Sequence, residues 1–147
     1  MRSAQAVTYL GARLGRRDYL LGCAQVVEVM QPQPLTPVPH APSYIRGVFS
    51  RRGRVTPLFD LGAFANNGDE APPARIIVVQ ADDLVVGLPS LKIYGMMQLE
   101  DSAIEPPLPE MLALGAYVRG HYRDGERQLW LLDIEQLLQL SRPRGSG

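Results

Sequence analysis

Apolar positions along this chain fall in short runs separated by turn residues, with the alternation of half-buried strands and almost nowhere the spacing of a long helix. A first strand is predicted over 7–10 and its hairpin partner over 18–22, across a Gly- and Arg-containing turn at 14–17. One helical turn is expected over 23–26. Residues 27–30 return to β-like alternation, which sets Glu28 on the face opposite Val27 and Val29. Strands over 45–50 and 54–59 flank a turn at Arg51-Arg52-Gly53. The run 75–80 carries the strongest buried-strand signal and pairs back through Asp82-Asp83 onto 84–88. A strand over 94–99 follows, then a hairpin turning at Asp124-Gly125. Residues 129–132 are apolar on both faces, as expected of a strand buried between two packed units.

Helical signals are short. Asp60 and Asp133 each follow a strand as N-cap candidates, for helices over 61–65 and 134–140. Gln136, three residues beyond Asp133, makes a capping-box pattern. A further turn over 110–114 is stopped by Gly115. Between the strands, 31–42 carries Pro32, Pro34, Pro37, Pro39 and Pro42, each fixing φ and removing a donor. This segment is read as an extended surface connection, pinned to the core by Leu35 and Val38, and not as a strand ladder. Pro106, Pro107 and Pro109 occupy the corresponding place later in the chain.

That correspondence is part of a repeat. Residues 44–61, YIRGVFSRRGRVTPLFDL, lie without a gap over 117–134, YVRGHYRDGERQLWLLDI. Six of the eighteen pairs are identical (Tyr44/Tyr117, Arg46/Arg119, Gly47/Gly120, Arg54/Arg127, Leu58/Leu131 and Asp60/Asp133), where unrelated stretches would share about one. The chain is therefore read as one domain over 1–147 built from halves at 7–66 and 74–140, with a flexible polar tail at 141–147. Short strands joined in this way favour small closed barrels, because closure removes exposed edges.

Composition narrows the partners. Fifteen basic and fifteen acidic residues cancel, so the chain lacks the positive field of a dedicated nucleic-acid binder. Fourteen of the fifteen basic residues are arginine, the cation best suited to interface contacts; only Lys92 is lysine. The single cysteine, Cys23, allows no internal disulfide and fits a reducing compartment. No apolar run reaches transmembrane length and residues 1–5 show no signal-peptide pattern, so a cytoplasmic protein without direct membrane insertion is expected.

Candidate chemistry is sparse. Cys23, His40 and His121 are the only soft or nucleophile-activating groups, and their spacing matches neither a metal site nor a catalytic pair. Cys23 reads as a small buried apolar residue. No catalytic residue, metal or cofactor is assigned. The sharpest charge cluster is the hairpin tip Arg51-Arg52-Gly53-Arg54, a candidate interface hot spot or anion site. An oligonucleotide-binding barrel is the competing reading.

The sequence also carries a resemblance. Val26-Val27-Glu28-Val29, a proline-containing connection, Ala41-Pro42-Ser43-Tyr44-Ile45-Arg46-Gly47-Val48 and Arg52-Gly53-Arg54-Val55-Thr56-Pro57-Leu58-Phe59-Asp60-Leu61 resemble the CheW family of chemotaxis coupling proteins. The likeness continues through Ile76-Ile77-Val78-Val79, Val86-Gly87-Leu88, Ile104-Glu105-Pro106 and Tyr117-Val118-Arg119-Gly120 to Leu131-Leu132-Asp133. It implies an all-β fold of two packed five-stranded SH3-like barrels. It implies a non-enzymatic adaptor between the cytoplasmic tip of a chemoreceptor and the regulatory domain of a CheA-type histidine kinase, in membrane-associated receptor arrays. Carried over, receptor-facing positions fall on Val26, Glu28 and Arg52, with Arg51 beside them. Gly47 and Gly53 become structural, and second-half partner contacts fall at Ile93 and Met96. Two departures stand out: Ser50-Arg51-Arg52-Gly53 where the family usually has Asn-Leu-Arg-Gly, and Pro89-Ser90-Leu91 where it usually has a Val-Asp pair. They suit a specialised member, for example in a pilus-linked pathway.

Overall fold

The proline-rich and glycine turns cut the chain into ten strands, and these assort into two five-stranded sheets in an order the sequence does not suggest. The computed structural model describes residues 6–142. The strands are β1 (Ala6–Leu14), β2 (Arg17–Gly22), β3 (Val26–Met30), β4 (Ile45–Arg51), β5 (Arg54–Phe59), β6 (Arg75–Ala81), β7 (Leu84–Ser90), β8 (Lys92–Glu100), β9 (Val118–Asp124) and β10 (Arg127–Leu132). Two short helices, α1 (Leu61–Phe64) and α2 (Ile134–Gln139), each follow the second strand of a repeat copy. The first sheet runs β8-β1-β2-β10-β9 and the second β3-β6-β7-β5-β4.

The fold is all-β, with two packed five-stranded SH3-like units. The second sheet is contiguous in the chain, from β3 to β7. The first is split, its β1–β2 hairpin coming from the N-terminal side and β8, β9 and β10 from the C-terminal side. The sheets thus cut across the sequence halves 7–66 and 74–140, because each half sends its first hairpin to the other half's strands. Parallel pairings seal the exchange: Trp130 in β10 lies beside Tyr19 in β2, and Leu58 in β5 beside Gly87 in β7.

Three apolar clusters follow from strand alternation. The largest lies between the sheets and includes Tyr19, Phe59, Ile77, Val79, Leu88, Trp130 and Leu132. The other faces of the two sheets carry their own cores: Tyr9, Leu20, Leu99, Leu129 and Leu131 in the first, Phe49, Leu58, Ile76 and Val78 in the second. Both faces of β10 are therefore buried, as the doubly apolar run 129–132 requires.

Four of the six identical pairs have the same role in both copies of the repeat: the tyrosines, the first arginines, the glycines and the aspartates. The Asp60 amide donates to the Tyr44 carbonyl at 2.7 Å, and the Asp133 amide to the Tyr117 carbonyl at 2.8 Å. Asp60 Oδ1 accepts from the Ala63 amide and Asp133 Oδ1 from the Gln136 amide, each at 3.1 Å, so both are N-caps. Arg46 and Arg119 reach the other oxygen of the same carboxylates. Gly47 and Gly120 lie where the preceding connection crosses the strand. A Cβ on Gly47 would stand 2.7 Å from the Thr36 carbonyl oxygen, and one on Gly120 2.5 Å from that of Glu105. The two tyrosine rings also meet the same partner: Phe64 at the end of α1 stacks edge-on against Tyr44 and Tyr117, at 5.2 and 5.4 Å between centroids.

Several local expectations are corrected. The proline connection is pinned by a two-bond bridge between Thr36 and Val48, while Leu35 and Val38 are exposed. Strand β1 runs on to Leu14, so the first turn is only Gly15-Arg16. The expected turn over 110–114 is a pair of 3-10 turns spanning Pro109–Tyr117 and broken at Gly115, where φ is +52°. Of the expected tail at 141–147, Ser141 and Arg142 hydrogen-bond to the Leu138 carbonyl, Gln139 and Asp83. Residues 143–147, like the segment 1–5 read for a leader, lie outside the described residues.

Candidate functional site

The β4–β5 hairpin carries the charge cluster singled out in the sequence. Its two-residue turn places Arg52 at φ +51° and Gly53 at φ +76°, the double left-handed geometry of a type I′ hairpin. Glycine accepts this freely, but arginine does so at a steric cost, which marks Arg52 as an outlier of the kind found at functional sites. A Cβ on Gly53 would meet nothing within 4 Å, so its role is the turn and not close packing.

β3 and β4 are the two edge strands of the second sheet, and one contact joins them. Arg51 donates from Nε to Glu28 Oε1 at 2.8 Å, while Arg52 Nε stands 3.8 Å from the same oxygen. The two arginines differ sharply in exposure. The Arg51 side chain is 15% exposed, lying along the sheet, and that of Arg52 is 75% exposed. Arg51 is thus committed to the fold and Arg52 is presented to solvent. Arg54, also exposed, has no carboxylate within ion-pair distance among the described residues.

Exposed apolar residues also occur on β3 and β5. Val27 and Val29 on β3 are exposed, and Val55 on β5 is 75% exposed. Val26 is half-buried against the inter-sheet core, opposite Val79. Glu28, Arg51 and Arg52 thus meet at the tip, whereas Val26, beyond the bulge in β3, faces the inter-sheet core.

Ile93 and Met96 lie elsewhere, on β8, the edge strand of the first sheet. Ile93 pairs with Ala12 and packs on the inter-sheet core, whereas Met96, opposite Leu10, is 74% exposed. Met96 is a large apolar side chain on an unpaired edge, a common mark of a contact surface. The two sets of candidates lie on different sheets, and those sheets share one core. The departure Pro89-Ser90-Leu91 falls at the corner from β7 to β8, where Ser90 Oγ donates to the Arg13 carbonyl oxygen and the Leu91 amide donates to it as well.

Sequence reasoning missed a second charged cluster. Asp18 accepts from the Tyr94 hydroxyl at 2.7 Å and from Arg13 at 3.4 Å. The Arg127 guanidinium stacks 3.7 Å above the Tyr94 ring. Burial and the hydrogen bond to Asp18 push the Tyr94 phenol pKa up. Arg127 is the repeat mate of Arg54, and this stacking was invisible in the repeat because Tyr94 lies outside it. An open groove of about 770 Å³ runs between the proline connection, the loop 68–73 and the β7–β8 corner, with Leu35, Leu58, Pro72 and Pro89 on its walls. Its Arg46 and Asp60 already pair at 2.6 Å.

The groups weighed for chemistry are not assembled into a centre. Cys23 packs against the inter-sheet core, and burial pushes its thiol pKa up, away from thiolate reactivity. His121 is buried in β9 with Glu105 Oε2 3.8 Å from Nε2, and His40 stands in the proline connection. No group of three metal-ligating side chains occurs among the described residues. No helix among them is long and apolar enough to cross a membrane.

Known proteins share this architecture and sequence. Residues 8–142 match the family model described as a CheW-like domain. The probable chemotaxis protein CheW of Rhizobium etli is 32% identical over 129 residues, covering 85% of this chain and 83% of that protein. Protein PilI of Pseudomonas aeruginosa is 28% identical over 135 residues, covering 88% and 74%. The crystal structure of the scaffolding protein TtCheW from Thermoanaerobacter tengcongensis superposes with a TM-score of 0.81 at 23% identity, covering 99% of this chain and 93% of that one, and so shares the fold. Matched by the family model across nearly all of its described fold, this chain belongs to the CheW-like family of chemotaxis coupling adaptors.

Proposed function

We propose that this adaptor bridges the cytoplasmic tip of a chemoreceptor and the regulatory domain of a CheA-type histidine kinase, acting without catalysis, in the cytoplasm at membrane-associated receptor arrays. One observation supports the reading: exposed Arg52 at the tip of the second sheet and exposed Met96 on an edge of the first stand on two sheets that share a single inter-sheet core. Val26, Glu28 and Arg52 form the receptor surface, with Arg51 holding the tip in place. Ile93 and Met96 form the surface for the kinase.

Coupling follows from simultaneous contact. An adaptor that touches both partners lets the receptor's conformation bias the kinase by no more than its differential affinity for the kinase's two states. A core common to both surfaces keeps their relative geometry fixed, so a shift at one is delivered to the other and not absorbed.

The likeness to PilI and the arginine pair at the tip favour a second form of the same role, an adaptor serving a pilus-linked pathway. Affinity capture from the host cell, followed by identification of the bound proteins, tests both. Recovery of a CheA-type kinase together with receptors is expected with wild type. Arg52→Glu is expected to lose the receptors and keep the kinase, and Met96→Glu the reverse. Retention of both partners by both folded variants would reject the two-surface reading.

A further inference from the structure

Glu28 is the only carboxylate within ion-pair distance of the tip arginines among the described residues, and Arg51 occupies it. The Glu28 side chain is 31% exposed and its Oε1 accepts from Arg51 at 2.8 Å. A carboxylate already bound in this way offers little to a partner's cation, since a new pairing would first break a charge-assisted bond. Formal charges at Glu28, Arg51, Arg52 and Arg54 leave an excess of two positive charges, carried by the two outward arginines.

We infer that Arg51 is the specificity-determining residue of this surface: by holding Glu28, it converts a mixed-charge surface into a cationic one that selects an acidic partner segment. The partner chemistry follows from the neighbours. Arg52 and Arg54 supply forked donors for carboxylates, and Val55, next to Arg54 in the chain, is an exposed apolar residue of the same hairpin. The segment that fits carries acidic side chains adjoining small or branched apolar ones. The left-handed turn at Arg52-Gly53 fixes the backbone from which the exposed Arg52 side chain leaves the tip. With an apolar residue at 51, Glu28 would face only the exposed Arg52, 3.8 Å away, and would be more open to a basic group, so the selectivity would differ.

This inference rests on the assignment of this surface to the receptor, and the test separates the two. Soluble cytoplasmic-hairpin fragments of the host's chemoreceptors serve as probes, in native form and with the acidic residues at their tips changed to lysine. Affinities are measured at low and physiological ionic strength. Wild type is expected to prefer the native, acidic probe and to weaken as salt rises. Arg51→Leu, folded by circular dichroism, is expected to bind the acidic probe about tenfold more weakly, with a shallower salt dependence, and to gain affinity for the lysine-substituted probe. Wild-type affinity and salt dependence in Arg51→Leu, alongside loss of binding in Arg52→Glu, would overturn the inference and leave the receptor surface standing. Wild-type binding by Arg52→Glu would overturn both.

Discussion

Arg46 donates from Nε to Asp60 Oδ2 over 2.6 Å, on the carboxylate whose other oxygen caps α1. One side chain thus joins the start of β4 to the end of β5 and the first turn of a helix. The cap is the stronger element, since the Arg46 side chain is about half exposed and water screens the pair. Asp60→Ala is expected to cost about 1–2 kcal/mol in urea denaturation, and Asp60→Asn, which keeps the capping oxygen, under about 1 kcal/mol. Asp133→Ala should behave as Asp60→Ala does. Equal losses for the alanine and asparagine variants would shift the weight from the cap to the ion pair.

Two glycines in the first repeat copy have different reasons to be there. Gly47 has both a positive φ of +144° and the Thr36 carbonyl oxygen in the way of a Cβ, whereas Gly53 has only its φ of +76°. Gly47→Ala is expected to cost about 3 kcal/mol and to loosen the proline connection from β4. Gly53→Ala is expected to cost about 1 kcal/mol. Chemical denaturation of both variants orders them, and a reversed order would refute the close-approach argument.

Phe64 is placed to join the two units through Tyr44 and Tyr117. Truncation to alanine removes both edge contacts and part of the inter-sheet packing, at an expected cost of about 3 kcal/mol. In the double-mutant cycle with Tyr117→Leu, a coupling energy near zero would show that the ring contact adds nothing beyond area.

Arg52 holds an unfavourable backbone angle at the tip. Asparagine tolerates that angle better than arginine does. Arg52→Asn is therefore expected to raise the melting temperature slightly or leave it unchanged, while receptor capture falls. Lower stability together with retained capture would assign Arg52 to folding.

Cys23 lies under the inter-sheet core's edge, and desolvation raises its thiol pKa. A raised pKa means less thiolate at neutral pH. Thiol-specific reagents are expected to modify Cys23 more slowly in the native protein than in denaturant at the same pH. Equal rates would place the thiol in open solvent.

Much of this was readable from the residues. Both Asp caps, the glycine-bearing hairpin turn after β4, the buried run 75–80 and the doubly buried 129–132 each rest on a local signal whose cause lies within a few residues. The strand assortment was not readable. Nothing local to 18–22 says that Tyr19 will lie beside Trp130, because parallel pairing across a long separation depends on which faces remain uncovered once the hairpins have formed. The tip illustrates both cases. Its charge was plain, but adjacent arginines look alike in sequence, and only the position of Glu28 across the sheet divides them into one that is bound and one that is offered. Leu35 and Val38 were misread for a related reason. A proline-rich segment with apolar residues looks anchored by them, yet the backbone bridge at Thr36 does the anchoring.

The nesting of one sheet within the chain of the other also sets an order of events. A chain leaving the ribosome has every strand of the second sheet once Ser90 is out, and the pairing within that sheet needs nothing from further along, although its inner face is covered only later. The β1–β2 hairpin, made first, keeps its β1 edge unpaired until β8 is out and its β2 edge unpaired until β10, the last strand, arrives. The long-range closure of β2 against β10 is the pairing expected to come late and to leave an edge open to a wrong partner in the meantime.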